Sequence, residues 1–234
     1  MEPSLNGKKS GTKGSVLIMN DYEVLQKIKE NGICAIVRGT TSDKMCKIAD
    51  ALLEGGVTTI EVTFNTPGAA EMIQELVQKY SDRMLIGAGT VLDSETAKVA
   101  IVSGASFILS PTLNVEMIKT CQRYSVLPVP GVTTPTEALT AWENGARIVK
   151  VFPAGVLGPN YIKQLKGPLS QIEMMAVGGV NVENFGDFIK AGATSAGIGG
   201  ELVNKKLVEA NDFKTITERA ASFVKVFQGA VQSA

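Results

Sequence analysis

From residue 21 onward, two hydrophobic periods alternate along the chain. Short apolar, largely β-branched runs fall at 33–38, 58–64, 84–88, 106–110, 127–130, 147–152, 173–177 and 195–198, and each reads as a strand. Between them, apolar residues recur at helical spacing over 42–54, 69–80, 94–103, 115–124, 136–144, 161–165, 182–191 and 213–228, and a further helix over 22–30 precedes the first strand. Several of these helices carry end signals. Asp93 and Asn181 suit N-caps, Pro67, Pro135 and Pro159 lie near first turns, and Gly55, Gly104, Gly145 and Gly192 follow last turns. Strand starts recur about every 23 residues, the length of one strand, one helix and short loops.

Such alternation fits a closed (β/α)8 barrel, an open doubly wound sheet or two smaller α/β units. No GxGxxG follows the first strand and no Pro/Gly/Ser-rich linker divides the chain. The pattern therefore predicts one α/β domain over 21–234, a (β/α)8 TIM barrel whose additional N-terminal helix covers the barrel's N-terminal mouth. Residues 1–20, rich in Gly, Ser and Lys and without period, read as a flexible tail or an added extension.

Composition narrows the chemistry. The 234 residues are 44% hydrophobic and 20% charged, enough to bury a sizeable core. A formal net charge of zero points to neither a nucleic acid nor a membrane partner. The longest apolar run near the N-terminus, VLIM at 16–19, is too short for a signal peptide, so a cytoplasmic location is expected. Cys34, Cys46 and Cys121 are scattered and read as reduced thiols. Histidine is absent, which makes zinc hydrolases, metal-dependent aldolases and Ser or Cys triads unexpected and leaves acid–base work to carboxylate, lysine, tyrosine or water. No metal is expected.

In a barrel of this kind, chemistry gathers at the C-terminal ends of the strands, so polar residues there are candidates. In TTIEVTFN (58–65), Ile60, Val62 and Phe64 form one face, directed at the helices, while Thr59, Glu61, Thr63 and Asn65 form the other, directed at the lumen. A carboxylate in the lumen loses water and gains pKa, which suits Glu61 as a proton shuttle or, equally, as an ion-pair partner. In RIVKVF (147–152), Ile148, Lys150 and Phe152 share a face. A lysine among apolar strand residues is either a snorkelling or paired cation or a desolvated amine ready to attack a carbonyl. If its face is the lumen, Lys150 and Glu61 converge on one cavity. Arg38 ends the first strand and offers a planar fork, for a carboxylate ligand or for Glu61. After strands seven and eight, VGGVN (177–181) and GIGGEL (197–202) carry glycine pairs where barrels often hold phosphate.

These segments together carry a resemblance. AIVRG (35–39), EGGVTTIEVTFNTP (54–67), IGAGTVL (86–92), ILSP (108–111), PGVTTPTE (130–137), IVKVFPAGVLGP (148–159), VGGVN and AGIGG (196–200) resemble, in order and spacing, the 2-keto-3-deoxy-6-phosphogluconate / 4-hydroxy-2-oxoglutarate aldolase family over about 22–228. The resemblance implies a class I aldolase without metal or cofactor, assembled as a homotrimer, that cleaves a 2-keto-3-deoxy sugar acid to pyruvate and an aldehyde. The aldehyde would be glyceraldehyde 3-phosphate from the phosphogluconate derivative or glyoxylate from 4-hydroxy-2-oxoglutarate. By the same resemblance Lys150 forms the Schiff base, Glu61 is the general acid/base and Arg38 binds the carboxylate end. Thr90 and Pro111 line the pyruvate site, Phe152 packs beside the imine, and Gly178, Gly179, Gly199 and Gly200 hold the phosphate.

Two positions depart from the gluconate-type pattern: Asn65 stands where many members carry arginine, and Val177 where many carry threonine. Both changes resemble the branch acting on 2-keto-3-deoxy-6-phosphogalactonate, whose substrate differs in configuration at C4. Two other readings stay open on the sequence. One keeps the barrel and uses Glu61 as the base of a sugar-phosphate isomerase or epimerase. The other is a catalytically silent trimeric assembly protein.

Overall fold

A computed structural model describes residues 19–233. Helix α1 (Asp21–Asn31) leads into strand β1 (Ile33–Val37), followed by α2 (Ser42–Glu54), β2 (Thr59–Thr63), α3 (Ala69–Tyr80), β3 (Leu85–Gly89), α4 (Ser94–Val102), β4 (Phe107–Leu109) and α5 (Val115–Arg123). The second half runs β5 (Leu127–Val129), β6 (Gly131–Val132), α6 (Pro135–Glu143), β7 (Ile148–Val151), α7 (Ala154–Leu157), α8 (Pro159–Lys166), β8 (Glu173–Val177), α9 (Val182–Lys190), β9 (Ser195–Ile198), α10 (Lys205–Glu209) and α11 (Phe213–Gln232).

All strand pairs are parallel, in the order β5-β4-β3-β2-β1-β9-β8-β7-β6. The two ends of that order, β5 and β6, are halves of one strand interrupted at Pro130, so the sheet closes on itself as a (β/α)8 TIM barrel. Proline has no N–H for the ladder, and the strand changes neighbours there: Leu127–Val129 pairs with β4, and Gly131 and Val132 pair with β7. Gly131 must lack a side chain, because a Cβ would overlap the carbonyl of Pro111.

Side-chain alternation sorts the apolar residues into two layers. Ile60, Val62, Val149 and Val151 join the larger cluster between strands and helices, whereas Cys34, Leu85, Phe107, Leu109, Leu127, Val129, Ile148 and Met175 fill the lumen. The lumen cluster also contains Val24, Leu25 and Ile28 of α1, so this helix closes the N-terminal mouth as expected. Lys29 fastens it there, its Nζ 2.6 Å from Glu173 Oε1 at the start of β8. The outer layer is completed by α11, where Phe223 and Phe227 meet Phe185 of α9 at ring-centroid distances of 5.9 and 6.1 Å.

Three expectations need adjustment. Asn20, assigned by its sequence to the tail, is the N-cap of α1 in a reciprocal capping box with Glu23, and Met19 packs on the lumen cluster. The rest of the tail, 1–18, lies outside the described residues. Arg38 is not a strand residue, since β1 ends at Val37. Helix α11 runs past 228 to Gln232 and buries Ala230. No helix among the described residues is long and apolar enough to cross a membrane.

Candidate active site

The C-terminal ends of the strands surround one cleft of about 770 Å³. Lys150 of β7 and Glu61 of β2 enter it from within the lumen, and both side chains are nearly closed to solvent, at 6% and 1% exposure. No nitrogen–oxygen approach of 4.0 Å or less joins them, nor does one join Glu61 to Arg38, so neither pair forms a direct ion pair. Lys150 Nζ lies 4.9 Å from the centroid of the Phe152 ring. Glu61 Oε2 is buried without a hydrogen-bond partner among the described residues.

Electrostatics follow from that burial. Loss of water pushes the Glu61 carboxyl up to about 7, against the opposing pull of the Lys150 and Arg38 charges. Burial likewise holds Lys150 below the ordinary lysine range, with Glu61 acting in the other direction and Arg38 reinforcing the fall. The result is a carboxyl able to give or take a proton near neutrality beside an amine with an enlarged unprotonated fraction. Beneath them Cys34 is fully buried, and desolvation, then the Glu61 charge, raises its thiol.

Local packing explains how the two groups are held. A Cβ at Gly89 would collide with the Glu61 carboxylate, so this glycine of β3 makes the space the acid occupies. The next residue, Thr90, has φ 56°, a left-handed conformation unfavourable for a β-branched side chain. On the β7 side, Thr133 Oγ1 donates to the Phe152 carbonyl at 2.8 Å, and Tyr161 donates its hydroxyl to the Thr133 carbonyl. Glu137 accepts the Thr133 and Thr134 N–H groups, both at 2.8 Å, and these bonds hold its carboxyl below the usual range. Arg38 is exposed at the rim, and the next residue, Gly39, donates its N–H to Thr66 Oγ1 at 2.9 Å.

The glycine pairs differ from each other. Gly178 and Gly179 have φ of 85° and 75°; a Cβ on the first would crowd the Phe152 ring and on the second Gly155, so packing requires both. Gly199 and Gly200 meet no such obstacle and leave open space. Among the described residues, the N–H groups of Gly178, Gly179, Gly199 and Gly200 donate to no protein acceptor. Backbone N–H groups without a protein acceptor at the wall of a cleft can serve as an anion cradle.

All twelve residues singled out from the sequence line this cleft: Arg38, Glu61, Asn65, Thr90, Pro111, Lys150, Phe152, Val177, Gly178, Gly179, Gly199 and Gly200. Seven further residues line it: Ile36, Gly39, Val180, Gly197 and Glu201, which fall within segments singled out from the sequence without being given a role, and Val203 and Lys205, which sequence reasoning missed. The last belongs to α10, five residues long and too short to show a helical period. Among the described residues, no group of three or more His, Cys, Asp or Glu side chains is arranged to hold a metal ion.

The chain is similar to known proteins over most of its length. The family profile described as KDPG and KHG aldolase matches residues 24–219. The 2-dehydro-3-deoxy-6-phosphogalactonate aldolase of Escherichia coli (strain K12) is 38% identical over 201 residues, 86% of this chain and 96% of that protein. A solved structure described as native KDPGal superposes with a TM-score of 0.81 at 38% identity, covering 86% of this chain and 96% of that one. The KDPG aldolase of Legionella pneumophila, solved with pyruvate captured at low pH as a covalent carbinolamine intermediate, gives a TM-score of 0.78 at 26% identity, over 82% of this chain and 93% of that one.

Proposed function

The chain belongs to the KDPG and KHG aldolase family, a family of carbon–carbon lyases, and from that premise we propose a class I, Schiff-base aldolase acting on a phosphorylated 2-keto-3-deoxy sugar acid. The galactonate-derived acid is the first candidate substrate. Asn65 and Val177 both line the cleft, and the Escherichia coli relative named for the phosphogalactonate reaction matches most of the chain. The gluconate-derived acid and 4-hydroxy-2-oxoglutarate are the competing substrates.

The observation that carries the mechanism is the desolvated, unpaired Lys150 and Glu61 sharing one cleft. The neutral Lys150 amine adds to the C2 carbonyl to give a carbinolamine. Glu61, through a water, protonates the departing hydroxyl, and a cationic imine forms. Glu61, again a carboxylate, takes the C4 hydroxyl proton. The C3–C4 electron pair flows into the iminium, releasing the aldehyde and leaving an enamine. Protonation at C3 and hydrolysis then return pyruvate and free Lys150. Arg38 holds the substrate carboxylate, Thr90 and Pro111 shape the pyruvate end, Phe152 shields the imine, and the glycine N–H groups receive the phosphate.

We also propose a homotrimer acting in the cytoplasm. Val99 and Val102, one turn apart on α4, and the nearby Leu92 are 49%, 68% and 52% exposed, apolar surface that a second copy would cover.

The test is pyruvate release by the purified protein, with a chelator present, from the galactonate-derived, gluconate-derived and unphosphorylated substrates. Release from the galactonate derivative with the highest kcat/KM is expected. No release from any of the three would overturn the aldolase reading, and a preference for the gluconate derivative would reassign the substrate.

A further inference from the structure

A phosphorylated 2-keto-3-deoxy acid brings a carboxylate at one end and a phosphate ester carrying about −1.5 to −2 charge at the other. The glycine cradle meets that phosphate with dipoles and no net charge. Arg38 is committed to the carboxylate in the reading above, and Lys150 to the imine. Worse, the residue directly after the Gly199–Gly200 pair is an acid, Glu201, which lines the same cleft and repels a phosphate. Without another cation, the outer end of the site favours an uncharged substrate tail.

Lys205 is that cation. It lines the main cleft and also a side cavity of about 150 Å³ that opens between the β1–α2 loop and α10. The segment connecting it to the glycine pair is a tight turn, in which the N–H groups of Leu202 and Val203 both donate to the Gly199 carbonyl at 2.9 Å. Among the described residues, the one carboxylate within 4.0 Å of its ammonium is that of Glu209, at 3.7 Å, with the two side chains 74% and 62% exposed. A pair that open to water is worth little and gives way readily to a better anion. The other lysine of the side cavity, Lys44, is already engaged, donating from Nζ to the Val208 carbonyl at 3.0 Å.

We propose that Lys205 is a specificity-determining residue, whose ammonium pairs with the phosphate seated on the Gly199–Gly200 loop and offsets Glu201, so that the site selects phosphorylated over unphosphorylated acids. The proposal rests on the aldolase reading only in taking that phosphate to be the substrate's. It assigns Lys205 no part in bond breaking. Its loss should therefore appear in binding and raise KM for phosphorylated substrates by more than it lowers kcat, while pyruvate trapping persists.

The experiment compares wild type, Lys205→Ala and Lys205→Arg at low ionic strength. Binding of inorganic phosphate is followed by phosphorus NMR titration, and pyruvate trapping by borohydride is followed in parallel. Lys205→Ala should weaken phosphate about tenfold, the effect of removing one charge-assisted contact to a dianion, while Lys205→Arg stays within about twofold of wild type. KM for a phosphorylated substrate should rise by a similar factor, with a smaller rise for 4-hydroxy-2-oxoglutarate, whose far end carries a singly charged carboxylate. Added salt should narrow the gap between wild type and Lys205→Ala. Phosphate affinity within about twofold of wild type in Lys205→Ala, or equal KM losses for the phosphorylated and unphosphorylated substrates, would overturn the proposal. Failure of the aldolase reading looks different: wild type would trap no pyruvate, whatever the phosphate titrations show.

Discussion

Replacing Glu61 with glutamine should stabilise the protein near pH 8 relative to its stability near pH 5, by comparison with wild type. The carboxyl is 1% exposed, and burial raises it from 4.5 to about 7. Between those values the folded state binds a proton that the unfolded chain has released, so wild-type stability falls as pH rises through this window and the deficit is complete above it. Two and a half pH units at about 1.4 kcal/mol each amount to about 3–4 kcal/mol at most. Glutamine does not titrate, so the variant lacks this loss. Its own buried amide adds a penalty, because Glu61 Oε2 has no partner to pass on, but that penalty is independent of pH and cancels from the comparison. Urea unfolding of both proteins at several pH values from about 5 to about 8 reads the difference directly. A wild-type-to-variant gap that stays constant across that range would refute the claim that Glu61 is desolvated and titrates near neutrality.

Two further substitutions probe the supporting structure. Gly89→Ala places a methyl group against the Glu61 carboxylate, so it should cost about 1–3 kcal/mol in urea unfolding and reduce pyruvate release, with the loss in kcat exceeding that in KM. Asn20→Ala removes the capping box of α1 and should lower stability by about 1 kcal/mol, seen as a shift in the urea midpoint, without altering turnover.

Much of this fold is legible in the sequence because each barrel strand is short, apolar and followed by a helix with marked ends. The expected N-caps Asp93 and Asn181 accept the backbone N–H groups of Thr96 and Asn184. What escaped notice was short or governed by distant contacts. The β6 segment is two residues long and follows a proline, and α7 and α10 span four and five residues, too few for a period to emerge. The last helix, expected to end at 228, continues through Gly229 to Gln232, and Ala230 beyond that expected end is buried in the outer layer. At the site, Glu61 and Lys150 could be paired from alternation and the barrel rule, since a period of two assigns a strand residue to the lumen without knowledge of the loops. Lys205 could not, because its place beside the cleft depends on how the β9–α10 turn folds.

The central claim is that Lys150 is the nucleophile. Wild-type protein incubated with pyruvate and borohydride, then digested and mapped by mass spectrometry, should carry one reduced pyruvyl adduct on the peptide containing Lys150. The Lys150→Ala variant, folded by circular dichroism, should carry none. An adduct on another lysine, or trapping that persists in folded Lys150→Ala, would contradict the account.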